Sequence, residues 1–227
     1  MKNLADAAII CAMERELEPL IKYAEDIKEE VIAKYTFYTC TLEGVRAVLV
    51  CCGTNKVNAA VAAHIVCDRF SPRAVINTGV AGGMSREAEV CSVAVAVKCA
   101  YHDTLPDALT KHFPKMEEGI FYSDRALVDT AEKALGGHAV FGMFVTGEAF
   151  IEDEGREDII SRFNPVCVDN ETAAVAHACF LNDMPFIAIR AVSDSGENSG
   201  MDAYYKNCDS AAQRAAQALR EFLWQFK

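Results

Sequence analysis

Two acidic segments follow short apolar runs in the C-terminal third of the chain. Val166-Cys167-Val168 leads into Asp169-Asn170-Glu171, and Pro185 to Val192 leads into Ser193-Asp194. Apolar runs of this length read as buried strands. An open α/β sheet binds its ligand at the carboxyl ends of its strands. A carboxylate held there accepts hydrogen bonds from hydroxyl groups, and one that is partly buried keeps its proton to higher pH. The pair therefore suits a hydroxyl-rich ligand and a proton transfer. Other polar clusters repeat the placement. Glu14 and Glu16 follow the run Ala7–Ala12, and Gly53-Thr54-Asn55 follows Val48–Cys52. Thr78-Gly79-Val80-Ala81-Gly82-Gly83 follows Val75-Ile76, and Thr146-Gly147-Glu148-Ala149-Phe150-Ile151 follows Ala139–Val145. In a parallel sheet these ends share one edge and can converge. Any one cluster also satisfies an ordinary polar turn; their repetition after strand upon strand points to a site.

The elements that would carry these clusters alternate along the chain. Ala7–Ala12 reads as a strand and Glu14–Tyr23 as a helix with Leu17, Leu20 and Ile21 on one face. Val31–Cys40 and Val45–Cys52 read as strands around the turn at Glu43-Gly44. Asn55 opens a helix whose Val57, Val61, His64 and Ile65 fall on one stripe. Arg73–Asn77 is a strand followed by the Gly-rich run as a loop, and Val90–Ala100 is a long β-branched run. The stretch 103–122 reads as loop. Ser123 is placed to cap a helix reaching Leu135. Strands follow at Ala139–Val145, Val166–Val168 and Phe186–Val192, with a helix at Thr172–Leu181 and a last helix starting near Asp209 or Ser210. Such alternation gives an α/β fold, with a largely parallel sheet covered by helices on both sides.

Bulk properties exclude several classes. The chain has 227 residues, 52% apolar and 24% charged, with a formal charge of −11. That charge argues against nucleic acid or an anionic membrane as a partner. The ten cysteines lie mostly within apolar runs, where a thiol behaves as a small hydrophobe. Without a Cys-x-x-Cys spacing or a paired Cys/His framework, zinc and other metals are not expected. Asp6 interrupts the first apolar stretch, so no signal peptide or membrane span is expected; reduced thiols then place the chain in the cytoplasm. The Gly-rich run lacks the Gly-Lys-Ser/Thr of a Walker loop and the Gly-x-Gly-x-x-Gly of a dinucleotide site. It says that backbone approaches something closely.

Six strings occur in a telling order: Ala12-Met13-Glu14-Arg15-Glu16-Leu17; Asn77-Thr78-Gly79-Val80-Ala81-Gly82-Gly83; Tyr101-His102-Asp103; Gly147-Glu148-Ala149-Phe150-Ile151; Val168-Asp169-Asn170-Glu171; and Arg190-Ala191-Val192-Ser193-Asp194. Together they resemble the purine nucleosidase/phosphorylase superfamily over essentially the whole chain. Within it they are most similar to the branch that hydrolyses 5′-methylthioadenosine and S-adenosylhomocysteine. The resemblance implies one domain over residues 1–227: a three-layer, nucleoside phosphorylase-like sandwich with a mixed, largely parallel central sheet. It implies cleavage of the bond between ribose C1′ and adenine N9 of a small nucleoside substrate, with no cofactor. It also implies a homodimer, with the loop Asp103–Met116 near the neighbour's site.

The resemblance carries roles onto individual residues. Asp194 is similar to the general acid that protonates adenine N7, with Ser193 orienting it. Glu171 resembles the carboxylate that accepts from the ribose hydroxyls, and Glu16 the group that positions or deprotonates the attacking water, with Arg190 as its partner. Phe150 would stack on the base and the Ile151 backbone would read its edge, while Met13 and Val80 would line the site. Two positions depart from the pattern. Val80 stands where the family carries a serine that helps hold the water, and Asn170 stands where it carries methionine. Asn170 is expected to contact the sugar or its 5′ substituent.

The residues themselves leave other readings open. Glu14, Glu16 and Glu171 suit the first turn of a helix, where a carboxylate meets the positive end of the macrodipole. Asp194 suits a turn or cap, Phe150 and Met13 suit a core, and His102, His64 and His177 suit structural roles. A phosphorolytic enzyme and a catalytically silent nucleoside-binding protein are the competing functions. Phosphate needs cationic or dense N–H donors. The superfamily's phosphorylases resemble one another in an arginine just before the Gly-rich run, where this chain has Asn77-Thr78.

Overall fold

Strand β1 (Ala7–Cys11) is wholly buried and runs parallel to β4 (Val45–Cys51) on one side and β5 (Ala74–Gly83) on the other. The structure is a computed structural model that describes residues 5–105, 107–152, 154–196 and 200–227. Beyond β4 the sheet continues through β3 (Tyr35–Leu42) to the edge strand β2 (Ala24–Ile32), both joined antiparallel. On its other side β5 runs parallel to β10 (Phe186–Asp194). Strand β10 pairs antiparallel with β6 (Val93–Tyr101), which is parallel to β8 (Ala139–Thr146). Strand β8 is parallel to β9 (Cys167–Asp169), which returns antiparallel to Gly82 and Gly83 of β5. Five strands thus close into a ring, and β5 belongs both to that ring and to the open wing.

Helices cover both faces, as expected. One apolar layer packs α1 (Glu14–Ile21), α4 (Arg125–Leu135) and α7 (Met201–Phe226) onto the sheet through Leu20, Leu135, Leu219 and Phe222. The opposite layer packs α2 (Lys56–Phe70) and α6 (Thr172–Leu181) through Ala62, Val66, Phe70 and Val175. The ten cysteines are free thiols, most of them buried among these apolar groups.

Several expectations need correction. The expected strand Val31–Cys40 is the end of β2 and the start of β3, split by a turn in which Ala33 takes a left-handed φ of 57°. The stripe of Val57, Val61 and His64 faces outward; α2 instead turns Ala59, Ala62, Ala63 and Val66 to the sheet, where small side chains allow close approach. The Gly-rich run is strand, because Thr78–Gly82 keep their pairing with β10. The segment 103–122 contains α3 (Ala108–Lys111) and β7 (Phe121–Tyr122). Asp124 caps α4, its Oδ1 accepting from the N–H groups of Ala126 and Leu127, while Ser123 donates to the Ala96 carbonyl. Helix α7 begins eight residues before Asp209, at Met201. Helix α5 (Arg156–Phe163) and the part of β2 before Val31 had no counterpart in the sequence reading.

Candidate active site

The carboxyl ends of β1, β5, β8, β9 and β10 surround a cavity of about 330 Å³. It is bordered by Glu16, Asp169, Glu171 and Asp194, all nearly inaccessible to solvent. Strand pairing explains the convergence. Val80 and Gly82 of β5 lie beside Ala191 and Asp194 of β10, and Gly82 also lies beside Val168 of β9.

Glu16 enters from the first turn of α1. Its Oε2 accepts the backbone N–H groups of Ala12 and Met13 at 2.8 and 3.0 Å, and its Oε1 accepts that of Val80 at 2.7 Å. A carboxylate offers four acceptor positions, and three of them take these N–H groups. Burial raises its pKa, opposed by Arg190 and by the three N–H donors, which favour the charged form. A β-carbon on Gly79, whose φ is 134°, would collide with this carboxylate. The glycine is what lets Glu16 lie flat against β5.

Asp194, the last residue of β10, lies beside Gly82, three residues along β5 from the Gly79 that packs on Glu16. Its Oδ1 accepts the Ser193 hydroxyl at 2.7 Å, and its Oδ2 would lie 3.2 Å from a β-carbon on Gly82. Burial pushes its carboxyl above the ordinary range; the Ser193 bond and the Arg156 guanidinium act in the opposite direction. The Ser193 carbonyl accepts from Asn207 Nδ2 of α7 at 3.1 Å, and this bond fixes the strand end. A buried carboxyl with few donors is a group that can arrive protonated and deliver a proton.

Glu171 stands at the N-terminus of α6. Its Oε1 accepts the Asn55 N–H at 3.0 Å and its Oε2 lies 3.2 Å from Arg190 Nη2. Burial raises its pKa, with Arg190 opposing. Arg190 is 1% exposed, and each of its three guanidinium nitrogens has a partner. It donates to the Val80 carbonyl and Asn77 Oδ1 at 2.7 Å, to Thr172 Oγ1 at 3.1 Å, and pairs with Asp169 Oδ2 at 3.1 Å. It was expected near Glu16 as its partner; its donors reach Asp169 and Glu171, and it acts on Glu16 through space. Removing one member of such a buried network leaves an uncompensated charge at a cost of about 3–5 kcal/mol.

A sequence profile of the phosphorylase superfamily matches residues 6–223. A 5′-methylthioadenosine/S-adenosylhomocysteine nucleosidase from Geobacillus thermodenitrificans is 35% identical over 226 residues, spanning 96% of this chain and 95% of its own. The chain belongs to the methylthioadenosine/S-adenosylhomocysteine nucleosidase family of that superfamily. Solved structures agree. The nucleosidase from Neisseria meningitidis in complex with methylthio-immucillin-A superposes with a TM-score of 0.88 at 32% identity, covering 96% of this chain and 98% of its own. The Colwellia psychrerythraea nucleosidase in complex with adenine gives 0.90 at 32% identity, covering 98% and 96%.

Against this nucleosidase frame the remaining expected residues fall into place. Phe150, Ile151, Met13, Val80, Asn170 and Ser193 all border the cavity. Phe150 is 39% exposed, so it belongs to the mouth and not to the core, with its ring edge-on to Tyr204. Asn170, expected on the sugar or its 5′ group, borders the cavity, and its Nδ2 donates to the Gly147 and Ala149 carbonyls, bracing the segment that carries Phe150 and Ile151. Val80 contributes through its backbone, N–H to Glu16 and carbonyl to Arg190, contacts indifferent to its side chain. Glu14 is exposed. His102 is buried behind Gly147 outside the cavity lining, His177 stacks on Phe121, and His64 is exposed.

The sequence reading named Asp169, Asn55 and Arg15 within its clusters without giving them a role, and passed over Tyr204 and Tyr205. Asp169 organises the centre: its Oδ1 accepts from Thr146 Oγ1 and from the N–H groups of Glu171 and Thr172, and its Oδ2 meets Arg190. Its position at the end of an apolar strand was the available signal. The tyrosines sit in the first turns of α7, which no core periodicity announces, since they cover the cavity and not the sheet.

Proposed function

We propose that this chain hydrolyses the N-glycosidic bond of 5′-methylthioadenosine, S-adenosylhomocysteine or a related 5′-substituted adenosine, releasing adenine and the thioribose. The observation that carries the reading is the placement of Glu16 of α1 and Asp194 of β10 against neighbouring residues of β5, bordering one cavity with opposite hydrogen-bond surroundings. Asp194 protonates adenine N7, so the base leaves as a neutral molecule. Glu16 takes a proton from the water that attacks C1′ as positive charge develops on the sugar. Glu171 accepts from the ribose hydroxyls, in charge-assisted bonds worth about 1.5–3 kcal/mol each. Phe150 stacks on the base and the Ile151 backbone meets its edge. Phosphorolysis would set a phosphate dianion against Glu16, and Coulomb repulsion at that range opposes it. Adenine release from methylthioadenosine in phosphate-free buffer, followed by chromatography, tests the reading; an absolute phosphate requirement would overturn it.

The active form in this reading is a homodimer. Val57, Val61, Phe180 and Leu181 expose apolar surface on the joined face of α2 and α6, an area that a second copy would bury. Light scattering at working concentration is expected to give twice the chain mass, and a monomer would count against the pairing. No described helix is long and apolar enough to cross a membrane. Ten free thiols support a reducing, cytoplasmic setting.

A further inference from the structure

One charged part of the cavity wall has no task in the hydrolysis. Arg15, in the first turn of α1, borders the cavity; its side chain is 42% exposed, and its described ion pair is a 3.4 Å contact from Nη1 to Asp209 Oδ1. Asp209 is itself 79% exposed, so water competes for both partners. The guanidinium lies beside Cys208 and Tyr204, and Tyr204 Oη is 3.2 Å from Met13 Sδ. Arg190, the other cation among the described lining residues, has its donors committed inside the protein. Arg15 therefore holds the donors on this wall that described residues leave untaken. In the nucleosidase reading, on which this inference rests, Asp194 and Phe150 take the base, Glu171 the sugar hydroxyls and Glu16 the water. The lining left over, Met13, Arg15, Tyr204 and Tyr205, borders the exit of the 5′ substituent.

We propose that Arg15 is a specificity-determining residue that pairs with a carboxylate on the 5′ substituent. The site then favours thioadenosines with an amino-acid tail over those with an uncharged alkylthio group. The guanidinium fork suits a carboxylate in two parallel hydrogen bonds. The tail is a zwitterion, and without Arg15 its carboxylate would have no cation to face in a cavity bordered by Glu16, Asp169 and Glu171.

The test is the ratio of kcat/KM for S-adenosylhomocysteine to that for methylthioadenosine. Arg15→Gln is expected to lower the ratio about tenfold, and Arg15→Lys to restore part of it. In the unaltered protein the ratio is expected to fall as ionic strength rises from about 0.01 to about 0.5 M, since the pair is partly exposed and screened. A ratio unmoved by both charge removal and salt overturns the inference; if Arg15→Gln does not fold, the salt series decides alone. Failure of the unaltered protein to release adenine from either compound would instead overturn the nucleosidase reading.

Discussion

The two sides of the cavity treat their carboxyl groups differently. On the side that the proposed function gives to the sugar and the water, Glu16 accepts three backbone N–H groups, and Glu171 accepts a backbone N–H and a guanidinium. On the base side, Asp194 has one hydroxyl at 2.7 Å, with a guanidinium acting through space. Burial raises the pKa on both sides. The donors distinguish them: dense N–H groups and Arg190 support negative charge where hydroxyl protons and a water must be drawn in, and their scarcity leaves Asp194 as the group that can carry a proton to the base. In the proposed reading, Glu16 against Val80 and Asp194 beside Gly82 of the same strand then serve as base and acid.

The largest effect is expected from the base side. Asp194→Asn keeps the shape and a hydrogen-bond donor but has no proton to transfer. Its kcat is expected to fall by about 10²–10⁴ with KM little changed, because the lost interaction belongs to the transition state. Steady-state kinetics with methylthioadenosine would show it, and a near-normal kcat would remove Asp194 from the role.

A smaller effect tests the electrostatic half of the comparison. Asp194 acts as an acid only while protonated, so activity is present below its raised pKa and declines as pH climbs through it. Arg156 favours the carboxylate and lowers that pKa. Arg156→Ala removes the cation, so the alkaline limb of kcat/KM is expected to move upward, by about half a pH unit for a partly exposed charge. A downward or absent displacement in the pH profile would mean that another group sets the limb.

Much of this was readable in the chain. Asp194, Glu171 and Glu16 each follow an apolar run, and strands buried on both faces are uniform enough to place such ends together. What stayed hidden had physical reasons. Strand β2 is exposed along its length and carries Glu25, Asp26, Lys28, Glu29 and Glu30, so neither alternation nor an apolar run marks it; those charges also keep an open sheet edge from pairing with another chain. Helix α5 buries only Ile159. The Gly-rich run looks like a loop by composition, yet its strand pairing depends on β10, more than a hundred residues away. The partners of Arg190 depended on the register between β5, β9 and β10, which no local pattern encodes. The outward face of α2 shows the same limit: Val57 and Val61 outrank Ala59 and Ala62 in hydrophobicity, but the sheet selects for size.

The smallest expected effect examines how the anionic side is held. Asn55 gives Glu171 its backbone N–H from a conformation of φ 78° and ψ 162°, a region that essentially only glycine occupies freely. Its side chain offsets part of that strain by donating to the Glu148 carbonyl at 3.4 Å and to the Glu148 carboxylate. Asn55→Gly relieves strain of about 1–3 kcal/mol. Against that it loses an exposed hydrogen bond and adds freedom to the unfolded chain, together about 1–1.5 kcal/mol. Asn55→Ala keeps the strain and loses the bond. Thermal unfolding is therefore expected to rank the variants glycine above asparagine above alanine, spanning about 1–2 kcal/mol. A midpoint for alanine above that for glycine would show that the backbone at residue 55 is unstrained, and that the N–H reaching Glu171 comes without conformational cost.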